Sequence, residues 1–213
     1  MFIPPAFEID DDEALGVLRD RAFGLFVLAA PDGPFGVHVP FLVEQTAQDR
    51  ISVEFHVARA NPVHTFIGAG ARALLACQGP DAYISPDWYD VANQVPTWTY
   101  VSVHLNGTAR VLPPADTLGH VDRLSAFFER RLAPKEPWTS AKMDDRKRDA
   151  MTRAIVAIAM DVESIEAQRK LIQHKGETEH LGAIEGLRGR ADPGSVAIAD
   201  MMEQTARDKF RDR

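Results

Sequence analysis

The chain holds a single cysteine, Cys77, among 213 residues. One thiol closes no internal disulfide and builds no cysteine-based zinc site. Its place inside the apolar run 72–78 makes it an inert core thiol. No apolar run approaches the roughly 18–20 residues a membrane span requires. The opening, MFIPPAFEIDDDEALG, has acids and two early prolines where a signal or transit peptide has cations, so a cytoplasmic protein is expected. There is no GxSxG elbow, Walker loop, HExxH or EF-hand loop. The seven histidines show no metal-ligand spacing, and no metal is expected. Cations are outnumbered, 24 Lys and Arg against 31 Asp and Glu, for a net charge of -7. Phosphate backbones are held mainly by concentrated Lys and Arg, so direct DNA binding starts as the weaker idea. The densest basic stretch, residues 142–153, is interrupted by acids at helical spacing and reads as a solvated helix face.

What is present is an ordinary globular balance, 45% hydrophobic and 26% charged, which excludes wholesale disorder, collagen and coiled coil. Residues 10–21 open with Asp at capping positions, and Ala14, Leu15 and Leu18 share one helical face. Residues 23–30 and 35–44 are apolar runs separated by Pro31-Asp32-Gly33-Pro34, which reads as a hairpin. Residues 51–57 make a third strand, with Ile51, Val53, Phe55 and Val57 on one face and Ser52, Glu54 and His56 on the other. Residues 61–70 read as a short helix stopped by glycines, and 72–78 as a fourth strand.

Parity decides the stretch from Tyr100 to Leu112. Asn106-Gly107 is a strong hairpin signal, but a two-residue turn there would pair Val103 with Arg110 on the apolar face. One continuous strand instead keeps Val101, Val103, Leu105, Gly107, Ala109 and Val111 together. A long strand is therefore expected, with Gly107 as a site for a bulge.

Beyond it, Pro113-Pro114 leads into an amphipathic helix over 115–132, with Leu118, Val121, Leu124, Phe127 and Phe128 inward. A second helix is expected over 144–151. Residues 155–168 hold a strand buried on both faces. From Glu177 on the chain reads as polar helix, broken between Gly189 and Ser195. This order predicts an α+β protein, mainly β, built on an antiparallel barrel decorated by helices.

Gly68 to Ala73 matches a relaxed GxGxxA fingerprint in the wrong context, because a helical run precedes it and a strand follows. The informative region is GPDAYISPDWYDVANQVPTWTY (79–100), which holds all three tyrosines and two of the three tryptophans. Such rings suit a planar, partly polar ligand or a subunit interface; plugging a barrel end is the equal alternative. Arg59, at a strand-to-helix turn, offers a planar fork for phosphate, and Asn61 can cap the following helix. The run 169–175 is short and basic, and by itself reads as solvated surface.

Taken in order, these blocks resemble the PaiB family of FMN-binding negative transcriptional regulators. The family pattern runs M-Y-x-P-x-x-F, H-x-A-R-x-N-P, G-P-x-x-Y-I-S-P-x-W-Y, V-P-T-W-N-Y-x-x-V-H-x-x-G and K-x-S-Q-N. Here the blocks are the opening MFIPPAFEID, then HVARANP (56–62), GPDAYISPDWY (79–89), VPTWTYVSVHLNG (95–107) and KLIQH (170–174). The resemblance spans roughly residues 1–188, leaving 189–213 as a polar C-terminal extension. It implies an FMN-binding split β-barrel and a homodimer with flavin at the subunit interface. It carries over Arg59, Asn61, Tyr83, Ser85, Trp88, Thr97, Trp98, Lys170 and Gln173 as pocket residues.

This chain departs from the pattern in the linker 90–94, which lacks the family's lysine, and at Thr99, Ile172 and His174. Losing a cation and two polar contacts, at roughly 1.5–3 kcal/mol each, predicts weaker phosphate binding. Three functions follow as expectations: a dimeric flavin-binding regulator, an oxidoreductase using that flavin, or a direct DNA-binding repressor. No general acid or base stands out, so no catalytic residue is assigned. Against the repressor stand the acidic charge and the lack of a basic helix-turn-helix.

Overall fold

The computed structural model describes residues 1–45 and 50–210. In chain order it runs through helix α1 (Asp11–Arg21) and strands β1 (Phe23–Ala30), β2 (Gly33–Pro40), β3 (Leu42–Gln45) and β4 (Ile51–Ala58). Short helix α2 (Val63–Ile67) and strands β5 (Ala71–Ile84) and β6 (Thr97–Val111) follow. Helices α3 (Thr117–Glu129) and α4 (Asp145–Arg153), strand β7 (Ile155–Lys170), and helices α5 (Glu177–Arg190) and α6 (Pro193–Phe210) complete it. The strands form one antiparallel sheet in the order β2-β1-β5-β6-β7-β4-β3. The expected α+β class is what the chain adopts.

The chain divides into two compact units. Unit one comprises Met1–Val17, Gln78–Val103 and Glu166–Arg213; unit two comprises Leu18–Cys77 and His104–Ile165. Strands β5, β6 and β7 contribute residues to both.

Unit two contains the expected hairpin, in which Ala30 pairs with Gly33 and Phe23 with Pro40. The second strand ends earlier than expected, with β3 beginning at Leu42. In β4 the inward residues Val53, Phe55 and Val57 are buried, as the alternation requires, and the Phe55 and Phe26 rings lie 4.7 Å apart. The Asn-Gly pair at 106–107 makes no turn, since β6 is continuous. Buried positions alternate straight through Leu105, Gly107 and Ala109, so the strand keeps its parity there and no bulge shifts it. Glycine stands at 107 because a Cβ there would overlap the Asp161 carbonyl oxygen of β7. Cys77 is buried, and burial pushes its thiol up to about 11. Residues 156–160 of β7 are buried on both faces.

Unit one has its own core, in which Ile84, Tyr89, Leu171, Ile172, Ile184, Leu187, Ile198 and Met202 pack together. Helices α5 and α6 thus share apolar faces with the ends of β5 and β7. The stretch 189–213, expected as a polar extension, supplies α6 and three residues of this core; residues 211–213 lie outside the described residues. The break between the helices falls at Ala191, in the left-handed region, and Pro193 opens α6. Asp192 accepts hydrogen bonds from the Ser195 amide and hydroxyl, which hold its carboxyl down at about 2.

Candidate functional site

In unit one, Lys170 ends β7 and Thr97 begins β6. The Lys170 ammonium donates to the Thr97 hydroxyl at 2.9 Å and lies 5.9 Å from the Tyr100 ring centre. Among the described residues no carboxylate pairs with it, so this half-buried cation keeps hydrogen-bonding capacity for a guest. The chain then reverses sharply, with Ile172 at φ +55°. A β-branched residue in the left-handed region costs about 1–3 kcal/mol. Gln173 holds the turn: its Oε1 accepts from the Leu171 amide at 2.7 Å, and its Nε2 donates to the Arg169 carbonyl. Lys209 of α6 donates to the carbonyls of Gln173 and Lys175, at 2.6 and 2.9 Å. Leu171 and Ile172 are fully buried. The run 169–175, read alone as solvated surface, is a pinned reversal, because its apolar pair faces the core while its cations stay at the rim.

The reversal presents His174 and Lys175 to a cavity of about 270 Å³, lined with them by Phe7, Tyr89, Val95, Pro96, Thr97, Lys170 and Ile172. The Phe7 and His174 rings meet edge-on at 5.8 Å. Neither His174 ring nitrogen has a hydrogen-bond partner among the described residues. Burial, then the nearby Lys175 and Lys170, hold its pKa below the usual imidazole value, with Glu179 opposing. Tyr89 is fully buried and its hydroxyl has no partner among the described residues; burial and Glu179 raise its pKa, so the phenol stays neutral. Lys175 is otherwise engaged, with Glu179 at 3.1 Å, with Gln94, and over the Tyr89 ring at 4.6 Å. One cavity thus collects an ammonium without a counterion, a hydroxyl, a free imidazole and an unpartnered phenol. That donor set suits an oxyanion.

The remaining expected residues are spread more widely. Trp88 packs on α5, where a Cβ at Gly186 would overlap its indole and a Cβ at Gly182 its carbonyl oxygen. The indole borders a separate groove with Asp87, Asp90 and Glu185, whose acids disfavour phosphate. Ser85 caps the 3-10 turn Pro86–Tyr89, accepting from the Asp87 amide. Tyr83 and Trp98 form an edge-to-face pair at 6.2 Å and stay exposed, Trp98 by 54%. Arg59 and Asn61 belong to unit two. The Arg59 guanidinium donates to the carbonyls of Arg153, at 2.6 Å, and Ile155, at 2.9 Å. Asn61 caps α2, accepting from the Val63 amide at 3.0 Å. Thr97, Lys170 and Gln173 are therefore brought together, while the aromatic block divides between core, helix packing and surface. Of the nine cavity residues, seven (Phe7, Tyr89, Val95, Pro96, Ile172, His174 and Lys175) are not among the pocket residues expected from sequence. Phe7 and Tyr89 do lie in the quoted motifs, and His174 was visible as a departure from the family pattern.

Unit two has a second cluster of ionisable groups. His120 of α3 is fully buried, its Nε2 3.1 Å from His56 Nδ1 and its Nδ1 3.3 Å from Glu54 Oε2. Arg123 also bonds Glu54 and reaches Glu44 at 3.5 Å. The His120 hydrogen bond, more than its ion pairing, pulls Glu54 below the usual carboxylate value, while burial and His120 lower His56. The groups stand in line through opposite nitrogens of His120 rather than around a common point, so they dock α3 on β4 instead of converging on a metal ion.

A family model described as "Putative FMN-binding domain" matches residues 1–164. The chain is similar to the protease synthase and sporulation protein PAI 2 of Bacillus subtilis (strain 168), 29% identical over 204 residues, covering 95% of this chain and 97% of that one. Coverage on that scale reaches into residues 189–213. Among solved structures it resembles the FAD and heme binding protein from Mycobacterium smegmatis, with a TM-score of 0.55 at 17% identity over 78% of this chain and 73% of that one. It also resembles the flavocytochrome Anf3 from Azotobacter vinelandii, with a TM-score of 0.53 at 12% identity over 78% and 69%. At such identities the likeness carries the fold alone, and that fold is the flavin-binding split barrel. No helix among the described residues is long and apolar enough to cross a membrane. With the family match spanning residues 1–164 and the PAI 2 similarity nearly the whole length, the chain belongs to the PaiB family of FMN-binding domains.

Proposed function

We propose that the protein binds FMN with its phosphate in the unit-one cavity, and works as a homodimeric flavoprotein of regulatory type. The observation that carries this reading is the convergence of Lys170, Thr97, His174 and Tyr89 on one cavity with hydrogen-bonding capacity left open. These residues fit the phosphate end of FMN, with Gln173 holding the turn that presents them. Bound FMN supplies a redox-active, blue-light-absorbing ring system, and the protein supplies its position and electrostatics.

The cavity, at about 270 Å³, sits at the small end of the roughly 300–1,000 Å³ typical of small-molecule sites, and its open donors all belong to the phosphate end. One chain therefore suits part of the cofactor. Trp98 and Tyr83, with the aliphatic Val95, are exposed, and aromatic residues of this kind are enriched at interfaces between protein chains. That supports the homodimer. The regulatory role rests on the family resemblance. The net charge of -7 favours action through a protein partner or through metabolism over direct contact with DNA.

A second reading, a flavin-dependent oxidoreductase, is favoured by the unpartnered imidazole of His174, which could exchange a proton with a bound guest. Flavin titration of the purified protein, with sedimentation equilibrium before and after, tests the first reading. The expected result is stoichiometric FMN binding by a species of twice the chain mass. A monomer that leaves FMN fully fluorescent would contradict it. Bleaching of the bound flavin by NADH or NADPH, with turnover, would select the enzyme.

A further inference from the structure

His174 stands where the family pattern has asparagine, and nothing in the described fold uses its ring nitrogens. We propose that His174 makes the unit-one cavity a proton-linked anion site: a dianionic oxyanion of the phosphomonoester class docks against Lys170 and Thr97, and the imidazole takes up a proton as it arrives. This deepens the FMN reading and rests on it only for the source of the anion.

The charges facing His174 come from three elements. Lys170 ends β7, Lys175 and Glu179 flank the start of α5, and Lys209 projects from α6; Phe7, from the N-terminal segment, is uncharged, and the Tyr89 phenol is neutral. Lys175 and Glu179 pair with each other, and Lys209 is spent on two backbone carbonyls. Lys170 is left as the open cation. His174 stands exposed at the rim of the cavity, yet partial burial of its ring and the neighbouring lysines already lower its pKa, so a second positive charge beside Lys170 is disfavoured while the cavity holds no anion. A dianion reverses that balance, since two cations then face two negative charges. An asparagine side chain does not titrate in this range, so a His174→Asn variant would keep a polar group at the rim and lose the proton dependence.

The sign follows from linkage. The free-state pKa of His174 is depressed, so near neutral pH the imidazole is uncharged and binding must take up a proton. Affinity then rises as pH falls, by up to about tenfold per pH unit for one proton. The test uses sulfate, which stays dianionic, titrated calorimetrically into the full-length protein and its His174→Asn variant between about pH 8 and pH 6. The expected result is sulfate binding that strengthens toward tenfold per unit in the wild type and stays flat in H174N. An equal slope in both proteins, or no sulfate binding by the wild type, would overturn the proposal.

Flavin competition identifies the source of the anion. If sulfate displaces FMN but not riboflavin, the anion is the flavin phosphate. If sulfate binds with the expected slope and FMN does not bind, the proton-linked site stands and the FMN reading fails. If FMN binds with the same affinity at every pH in both proteins, the FMN reading stands and His174 has no such role.

Discussion

In unit two, both ring nitrogens of His120 are engaged, with Glu54 at 3.3 Å and His56 at 3.1 Å, and Arg123 shares the same Glu54 oxygen, Oε2. In unit one, His174 borders a cavity beside Lys170 and a Tyr89 hydroxyl, and among the described residues neither its ring nitrogens nor that hydroxyl has a hydrogen-bond partner. The same side chain serves opposite ends. A closed cluster satisfies its own polar groups, so its removal is felt in stability. An open one leaves capacity for a guest, so its removal is felt in binding.

The largest effect separating the two should come from Glu54→Ala, which strips the buried His120 of its acceptor and leaves Arg123 only its longer contact with Glu44. A loss of about 2–4 kcal/mol is expected in urea denaturation, with FMN affinity unchanged in the protein that remains folded. Lys170→Ala should do the reverse. It removes a charge-assisted contact of about 1.5–3 kcal/mol, or roughly 10- to 100-fold in FMN affinity, with little change in the denaturation midpoint. Gly186→Ala pushes the Trp88 indole off α5 and should cost about 1–3 kcal/mol as overpacking, while its nearby acidic groove makes no difference to FMN.

The pH response divides the same way. His56 has a folded pKa below the ordinary 6.5, so above that pH it is neutral both folded and unfolded. Below about 6.5 the unfolded chain takes up the proton first, and stability declines as pH falls. Glu54, depressed below 4.5, adds a further loss as pH falls from that value through its folded pKa. His56→Gln should flatten the upper part of this decline, read as melting temperature against pH. The smallest effect belongs to the exposed helix α4: Lys147→Ala should change stability by less than about 0.5 kcal/mol and FMN affinity not at all.

Much of the sheet could be read from alternation. The 53/55/57 face of β4 and the unbroken parity of β6 depend on a period of two, which one strong turn dipeptide cannot override when the turn would bury Arg110. The close approach of β7 that demands glycine at 107 is a tertiary fact with no local signal. In α3, hydropathy placed Leu118, Val121, Phe127 and Phe128 inward with Leu124. The buried stripe is Thr117, His120 and Leu124, because Glu54 and His56 satisfy a histidine that local reasoning counts as polar. The same blindness hid the cavity. Lys170 and Gln173 were legible only through the resemblance to a family pattern, since residues 169–175 look solvated until Leu171 and Ile172 are seen in the core. Arg59 had the chemistry for phosphate, but its guanidinium lies against the carbonyls of Arg153 and Ile155, which the sequence places 94 and 96 residues away.

The decisive measurement is a paired fluorescence titration of FMN and riboflavin, which differ only in the phosphate, against the wild type and Lys170→Ala at one pH. FMN should bind the wild type roughly 10- to 100-fold more tightly than riboflavin, and the gap should close in the variant. Equal affinities for the two flavins in the wild type, or a gap that survives the loss of Lys170, would show that the unit-one cavity does not hold the phosphate.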